Sequence, residues 1–555
     1  MNRLLAAASL IALSATPTLA HDPAFDVDMI DLHVRTISAD AYEGRAPDTR
    51  GEAMTVGYIS GALAAAGVQP GGEVNETGLR SWTQAVPLQK STLVDDPAAS
   101  VTMASGEVMQ LTQGENIAIR APQNGAAQVN LDDAELIFAG YGVTAPERGW
   151  DDFKDMDVDG KIIVVLVNDP DFEGGEGDFG GKEMTYYGRW TYKYEEAARR
   201  GAAGVLVIHE NEPASYGWAT VRNSNNQTFD IVRTDPGEAH SGLQGWMHRD
   251  LAVKLMADSG IDFEDAKAMA RKKDFQPITL KSTMDVAILA ELEQVEAQNV
   301  VGILPGTSRA DEYVIYSAHH DHIGVGAADA NGDTIFNGAL DNATGVAHVI
   351  EQARAFADMG PQERSIVFLF VGAEERGLLG TKYYVNNPLY ALEKTAGVLN
   401  TDSLGVFGPA SDFSISGSAR LELLDMLIEE AADFGLTFAP DPRPEAGSFF
   451  RSDHFPFAQA GVPAVSFRSG QQLTQGGADR AAELAADYIA NRYHQPDDEW
   501  SPEWNLDGIV ANAKLLHQVG TRLANGGEWP KWEDGSEFGA VRAQSDFARQ
   551  DHGDD

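Results

Sequence analysis

Between residues 313 and 467 the chain carries four short apolar runs, at 313–318, 366–371, 397–400 and 464–467, with helical patterns at 344–357 and 421–434 between them and a further one at 478–488. Strands that alternate with helices in this way predict an α/β fold built on a mainly parallel sheet, mixed at its edges and sandwiched by helices. Side chains that do chemistry gather at strand ends in such sheets. Here the first run ends on His319-His320-Asp321-His322, the second on Glu374-Glu375 and the third on Asp402, while Asp341-Asn342 stands at the start of the first helix. A later turn carries Tyr493-His494 and Asp498. Spaced histidines with several carboxylates are the ligand set of a two-metal hydrolytic site.

Each residue has a plainer reading. His319 directly follows a strand, and Asp321, two residues on, points to the same side of an extended chain. A carboxylate there can accept the imidazole N–H and fix the tautomer that binds metal. His320 faces the other way and His322 reads as a turn residue, yet both remain candidate ligands. Asp341 by itself reads as an ordinary helix N-cap. Glu374 and Glu375 leave their strand on different sides, so one can bind metal while the other faces a water. Asp402 is either a cap or a site residue. His494 and His454 are rivals, and no spacing rule chooses between them.

Composition narrows the function classes. A formal charge of −43 over 555 residues argues against nucleic-acid or anionic-membrane binding, both of which need clustered Lys and Arg. The absence of cysteine leaves a metal site only His, Asp and Glu. Arg3, the apolar run 4–15 and the small residues of 17–20 form a signal peptide, residues 1–20. No other apolar run reaches the ~18 residues that cross a bilayer, so a periplasmic or secreted protein with no membrane insertion is expected.

Residues 27–63 predict two helices around the turn-rich Tyr42-Glu43-Gly44-Arg45 joint, followed by strands at 82–88 and 100–110. Residues 125–285 show their own strand-helix-strand order, and a new series starts at Asn299. Beyond Leu523 the chain becomes rich in Gly, Trp and acids and reads as a surface wrap ending in an acidic disordered tail, 526–555.

The ordered set His319/Asp321, Asp341-Asn342, Glu374-Glu375-Arg376-Gly377, Asp402 and Tyr493-His494/Asp498 resembles the co-catalytic di-zinc exopeptidases, the family of bacterial aminopeptidases and glutamate carboxypeptidases. The resemblance covers 286–525 as a catalytic domain. It extends to 21–124 as the N-terminal part of that domain, and to 125–285 as an inserted β-rich protease-associated domain. It implies two Zn2+ ions. Asp341 would bridge them, His319 and Asp402 would complete one, and Glu375 and His494 the other. It also implies that Asp321 orients His319, that Glu374 is the general base activating a metal-bridged water, and that the Asp341–Asn342 peptide bond is cis. His320 departs from the family, whose members often carry an aromatic residue there. The implied activity is hydrolysis of peptides at the N-terminus. Carboxypeptidase or dipeptidase action is the alternative on the same site, with Arg443, Arg451 and Arg468 as candidate grips for a substrate carboxylate. A non-catalytic binding protein similar to the transferrin receptor ectodomain is the alternative of another class.

Overall fold

The computed structural model describes residues 25–550 apart from 176, 224 and 419, so the expected signal peptide and the last five residues lie outside the described part. Four neighbouring strands form the parallel centre of the main sheet, in the spatial order Arg364–Val371, Arg309–His319, Thr395–Thr401 and Ala464–Ser469. All eight residues of Arg364–Val371 and all seven of Thr395–Thr401 are buried, as expected of strands covered by helices on both faces. Antiparallel strands close both edges. Ile278–Leu304 pairs with Arg364–Val371, and Asp412–Ile415 with Ala464–Ser469. Thr344–Met359 and Asp507–Asn525 pack on the sheet, and Val27–Ile37 packs against the first of these helices. No helix among the described residues is long and apolar enough to cross a membrane.

A second sheet has its own core. Gly204–His209 lies parallel to both Ile162–Leu166 and Leu243–His248, and Gln128–Phe138 is parallel to Ile162–Leu166. The apolar core of this sheet draws on residues from Leu93 to Ile288. The expected new series at Asn299 is instead the end of one 27-residue strand, Ile278–Leu304. Its first half pairs with Gln128–Phe138 and its second with Thr83–Leu93 and Arg364–Val371, so it belongs to both sheets. A shift of register between Thr279 and Thr283, with Lys281 at φ 52°, lets this long strand twist without breaking. The strand expected over 100–110 is a hairpin, Ala98–Thr102 paired with Val108–Leu111 around Gly106 at φ 87°. Past Leu523 the chain packs on the main unit, with Trp532 and Phe538 buried, before the helix Gly539–Gln550.

His348 sits wholly buried on the helix Thr344–Met359. The Gln352 amide nitrogen lies 2.7 Å from the Ala513 carbonyl and 2.9 Å from His348 Nε2, so Nε2 accepts and Nδ1–H faces Thr401 Oγ1 at 3.3 Å. Burial, with His517 nearby, pulls its pKa down to about 3. A histidine depressed in the folded state contributes stability that is complete above its unfolded pKa of about 6.5 and is lost as pH falls towards 3. Each such histidine costs about 1.4 kcal/mol per pH unit in that window. His348→Gln is expected to flatten the fall of unfolding free energy between pH 6 and pH 4.5 by that slope. Equal slopes in denaturant titrations of the two proteins would refute the assignment.

Candidate metal centre

Three of the parallel strands deliver their last residues to one cleft. His319 closes its strand, Glu374 and Glu375 follow Val371 by a short turn, and Asp402 follows Thr401. Asp341 reaches the same place from the turn that opens the helix Thr344–Met359, and its bond to Asn342 is cis. His319 Nε2 lies 3.3 Å from Asp341 Oδ1 and 3.4 Å from Asp402 Oδ1. His494 Nε2 lies 3.4 Å from Asp341 Oδ2 and 3.2 Å from Glu375 Oε2. The two oxygens of Asp341 therefore face two different histidines. Ligand atoms of His319, Asp341 and Glu375 fall within 4.8 Å of one another, and so do those of His319, Glu374 and Asp402.

The supporting bonds explain why these side chains stay together. Asp321 is wholly buried and accepts the backbone N–H groups of Glu374 at 2.9 Å and Glu375 at 3.3 Å. Its carboxylate is 3.9 Å from His319 Nδ1, and its main-chain carbonyl, at 3.2 Å, is the nearer acceptor. Asp321 thus bears on His319 through its backbone and on both glutamates through its side chain. Asp498 accepts from Leu340 N at 3.0 Å and Asp341 N at 3.1 Å. Asn342 accepts from Gly345 N and Ser403 N and donates to the Thr401 carbonyl, each at 3.0 Å, which joins the Asp341 turn to the Asp402 strand.

The rival histidines go elsewhere. His320 Nε2 faces the Gln298 carbonyl at 2.8 Å, on the opposite side of the strand end. His454 is buried edge-on against Phe449, with ring centroids 4.7 Å apart. His322 is buried with Nδ1 2.7 Å from Glu375 Oε1, so it backs a carboxylate of the cleft. Asp453 drew no attention in the sequence because it lies in a loop with no periodic pattern. It is wholly buried, accepts from Thr381 Oγ1 at 2.7 Å, and has a second oxygen without a hydrogen-bond partner. Burial pushes its pKa up to about 7, with His319 opposing.

The electrostatics are those of a cation trap. Burial by itself would raise Asp341, but hydrogen bonds to His319 and His494 hold it well below the usual carboxylate range. Burial would lower His494, yet Glu375 and Asp341 lift it to about 9. Glu374 has no such partner, and burial together with the neighbouring Glu375 and Asp453 carboxylates outweighs His319 and pushes its pKa well up. Imidazole nitrogens and carboxylate oxygens, at spacings a small cation can bridge and with no thiolate among them, fit two zinc ions.

The arginines divide differently from expectation. Arg468 turns to Ser416 Oγ at 3.4 Å. Arg443 lines a 610 Å³ cavity with Lys182, Tyr216 and Glu445. Arg451 lies near Arg189, a residue of the second sheet's unit that the sequence did not single out. Arg189 is buried, its Nε has no hydrogen-bond partner, and burial and the Arg451 charge draw its pKa down to about 9.

Residues 299–519 match the family model described as Peptidase family M28. The chain is 26% identical over 364 residues to Aminopeptidase YwaD of Bacillus subtilis, covering 64% of this chain and 62% of that protein. It is 28% identical over 349 residues to the Probable lipoprotein aminopeptidase LpqL of Mycobacterium tuberculosis, covering 60% and 59%. It is 35% identical over 147 residues to Leupeptin-inactivating enzyme 1 of Streptomyces exfoliatus, covering 26% and 32%. The matches span less than two thirds of these curated relatives. The solved structure titled aminopeptidase from Aneurinibacillus sp. strain AM-1 aligns over 91% of this chain and 95% of its own, with a TM-score of 0.49 and 18% identity.

Proposed function

We propose, from the premise that residues 299–519 belong to the co-catalytic zinc exopeptidases of Peptidase family M28, that this protein is an exported aminopeptidase. The observation that carries the reading is Asp341, whose Oδ1 faces His319 at 3.3 Å and whose Oδ2 faces His494 at 3.4 Å. A carboxylate so placed could serve two ions at once. His319 and Asp402 would hold the first, and Glu375 and His494 the second.

When bound, two zinc ions lower the pKa of a water between them and polarise a peptide carbonyl. The rest of the work falls to the chain. Glu374, raised in pKa by burial and by its carboxylate neighbours, is suited to take up a proton. It takes that proton from the attacking water and returns it to the departing amine. Asp321, by accepting the N–H groups of Glu374 and Glu375, fixes the base and the ligand relative to each other. Asp498 fixes the turn of Asp341 in the same way. We read the unit built on the second sheet as the inserted protease-associated domain, and residues 1–20 as the export signal of the chain.

A dipeptidase or carboxypeptidase reading has one observation in its favour. Arg189, buried and with an unpartnered Nε, lies beside Arg451 in a chain that is otherwise strongly acidic. Two neighbouring guanidinium groups suit a substrate carboxylate. Zinc content and hydrolysis of free, N-acetylated and C-amidated short peptides decide the matter. The expected result is about two zinc ions per chain, with cleavage of free and amidated peptides only. Cleavage that requires the free carboxylate, with KM raised by Arg189→Met, would move the assignment to a dipeptidase or carboxypeptidase. A protein with neither zinc nor hydrolysis would be a binding module.

A further inference from the structure

The turn Tyr42-Glu43-Gly44-Arg45 has no part in the scheme above, yet its backbone is contorted. Glu43, Gly44 and Arg45 follow one another at φ 50°, 63° and 56°. Left-handed backbone is unfavourable for a residue with a Cβ, and it persists only where the surroundings demand it. A Cβ on Gly44 would lie 2.4 Å from the Phe336 carbonyl oxygen and 2.7 Å from that of Gly324, so only glycine lets the turn press this close. The outcome is that the Arg45 side chain points inward and is fully buried.

Its guanidinium makes four hydrogen bonds, all to main-chain carbonyls. Nε donates to His320 at 2.9 Å, Nη1 to Ile37 at 2.9 Å and Asn337 at 2.5 Å, and Nη2 to Gly338 at 2.9 Å. His320 is the residue after His319, and Gly338 stands three residues before Asp341. One planar group therefore grips the loop that carries His319 and the loop that carries Asp341. Gly338 has no slack of its own, since a Cβ there would lie 2.3 Å from the Asp341 carbonyl oxygen and 2.5 Å from His322 Cγ. The carboxylates of Asp321, Asp498, Asp341 and Glu375 act on the guanidinium charge without taking up its donors.

We propose that Arg45 is a positioning residue of the metal centre: its fork sets the spacing between the His319 and Asp341 loops, and its charge lets several carboxylates share one buried pocket before and after metal enters. Lysine cannot replace it, because a single ammonium cannot span carbonyls on separate segments. The inference rests on the zinc reading of the site.

Arg364 supplies the comparison. It is also fully buried and donates to main-chain carbonyls, of Leu523 at 2.6 Å and Glu528 at 3.0 Å, but it stands at the opposite end of the strand that leads to Glu374. Full-length Arg45→Met, Arg45→Lys and Arg364→Met would be titrated with zinc against a competing chelator, alongside thermal unfolding of the metal-free proteins and measurement of kcat and KM. Both Arg45 variants are expected to bind zinc more weakly, by about 10–100-fold for Arg45→Met, with lysine restoring only part of the loss. The decline in turnover should appear in kcat and be relieved by added zinc. Arg364→Met should lose thermal stability with zinc affinity unchanged. Wild-type zinc affinity in the Arg45 variants, or an equal loss in Arg364→Met, would overturn the role. Should Arg45→Met fail to fold, Arg45→Lys, which keeps the charge and most of the stem, tests the role in the same titration. A wild-type protein that takes up no zinc would instead overturn the metal reading itself.

Discussion

Glu374→Gln is expected to lower kcat by about 10²- to 10⁴-fold, the usual share of a positioned general base, while zinc content stays at the wild-type value. Glutamine keeps the shape and the buried position of Glu374 but can neither accept nor return a proton. The prediction separates two roles that the geometry places close together. Glu374 lies within ligand distance of His319 and Asp402, whereas Glu375 faces His494 at 3.2 Å. Glu375→Gln should therefore weaken zinc binding, and Glu374→Gln should not. Metal analysis of the two variants beside their kinetics settles the division. If Glu374→Gln loses an ion, Glu374 is a ligand and the base must be sought elsewhere, with the buried Asp453 carboxylate as the next group to test.

His319, Glu374, Glu375 and Asp402 could be found from the chain because each follows an apolar run, and parallel sheets bring such strand ends together. Their order along the chain, read with Asp341-Asn342 and Tyr493-His494, carries the resemblance to co-catalytic zinc exopeptidases, and residues 299–519 match the model described as Peptidase family M28. What stayed hidden depends on contacts between distant segments. His494 and His454 both lie outside the strand pattern, and only the fold shows one facing Asp341 and the other packed on Phe449. Asp453 and Arg189 carry no periodic signal, and their meaning comes from burial without a full set of partners. Arg45 was visible as part of a turn, but its four carbonyl acceptors span residues 37 to 338. The strand Ile278–Leu304 was cut in two in the sequence because its first half alternates, as a half-covered strand does, and residues 298–301 are continuously covered on both faces or nearly so. One strand serving two sheets presents two different patterns to solvent, and no local window joins them.

Asp341→Asn should have a larger effect than loss of any single terminal ligand. Neutralising this residue removes negative charge from both halves of the centre at once, since its oxygens face His319 on one side and His494 on the other. The remaining donors divide into His319 with Asp402 and His494 with Glu375, each too few to hold a zinc ion that prefers four ligands. Zinc content is expected to fall from about two per chain to below one, with hydrolysis lost by at least about 10⁴-fold, the combined share of metal activation and of the base that depends on it. The backbone around the site should survive, because Asp498 still accepts the N–H groups of residues 340 and 341, and Asn342 still joins the turn to Thr401 and Ser403. Thermal unfolding of the metal-free variant should nonetheless come at a lower temperature than that of metal-free wild type, because His319 and His494 favour the ionised Asp341 and lose their shared carboxylate partner. An Asp402→Asn variant that loses only one ion, set beside Asp341→Asn losing both, would mark Asp341 as the shared ligand. Equal, single-ion losses in the two variants would show that each zinc has its own separate carboxylate, and that the pairing of Asp341 with two histidines is not the bridge it is taken to be.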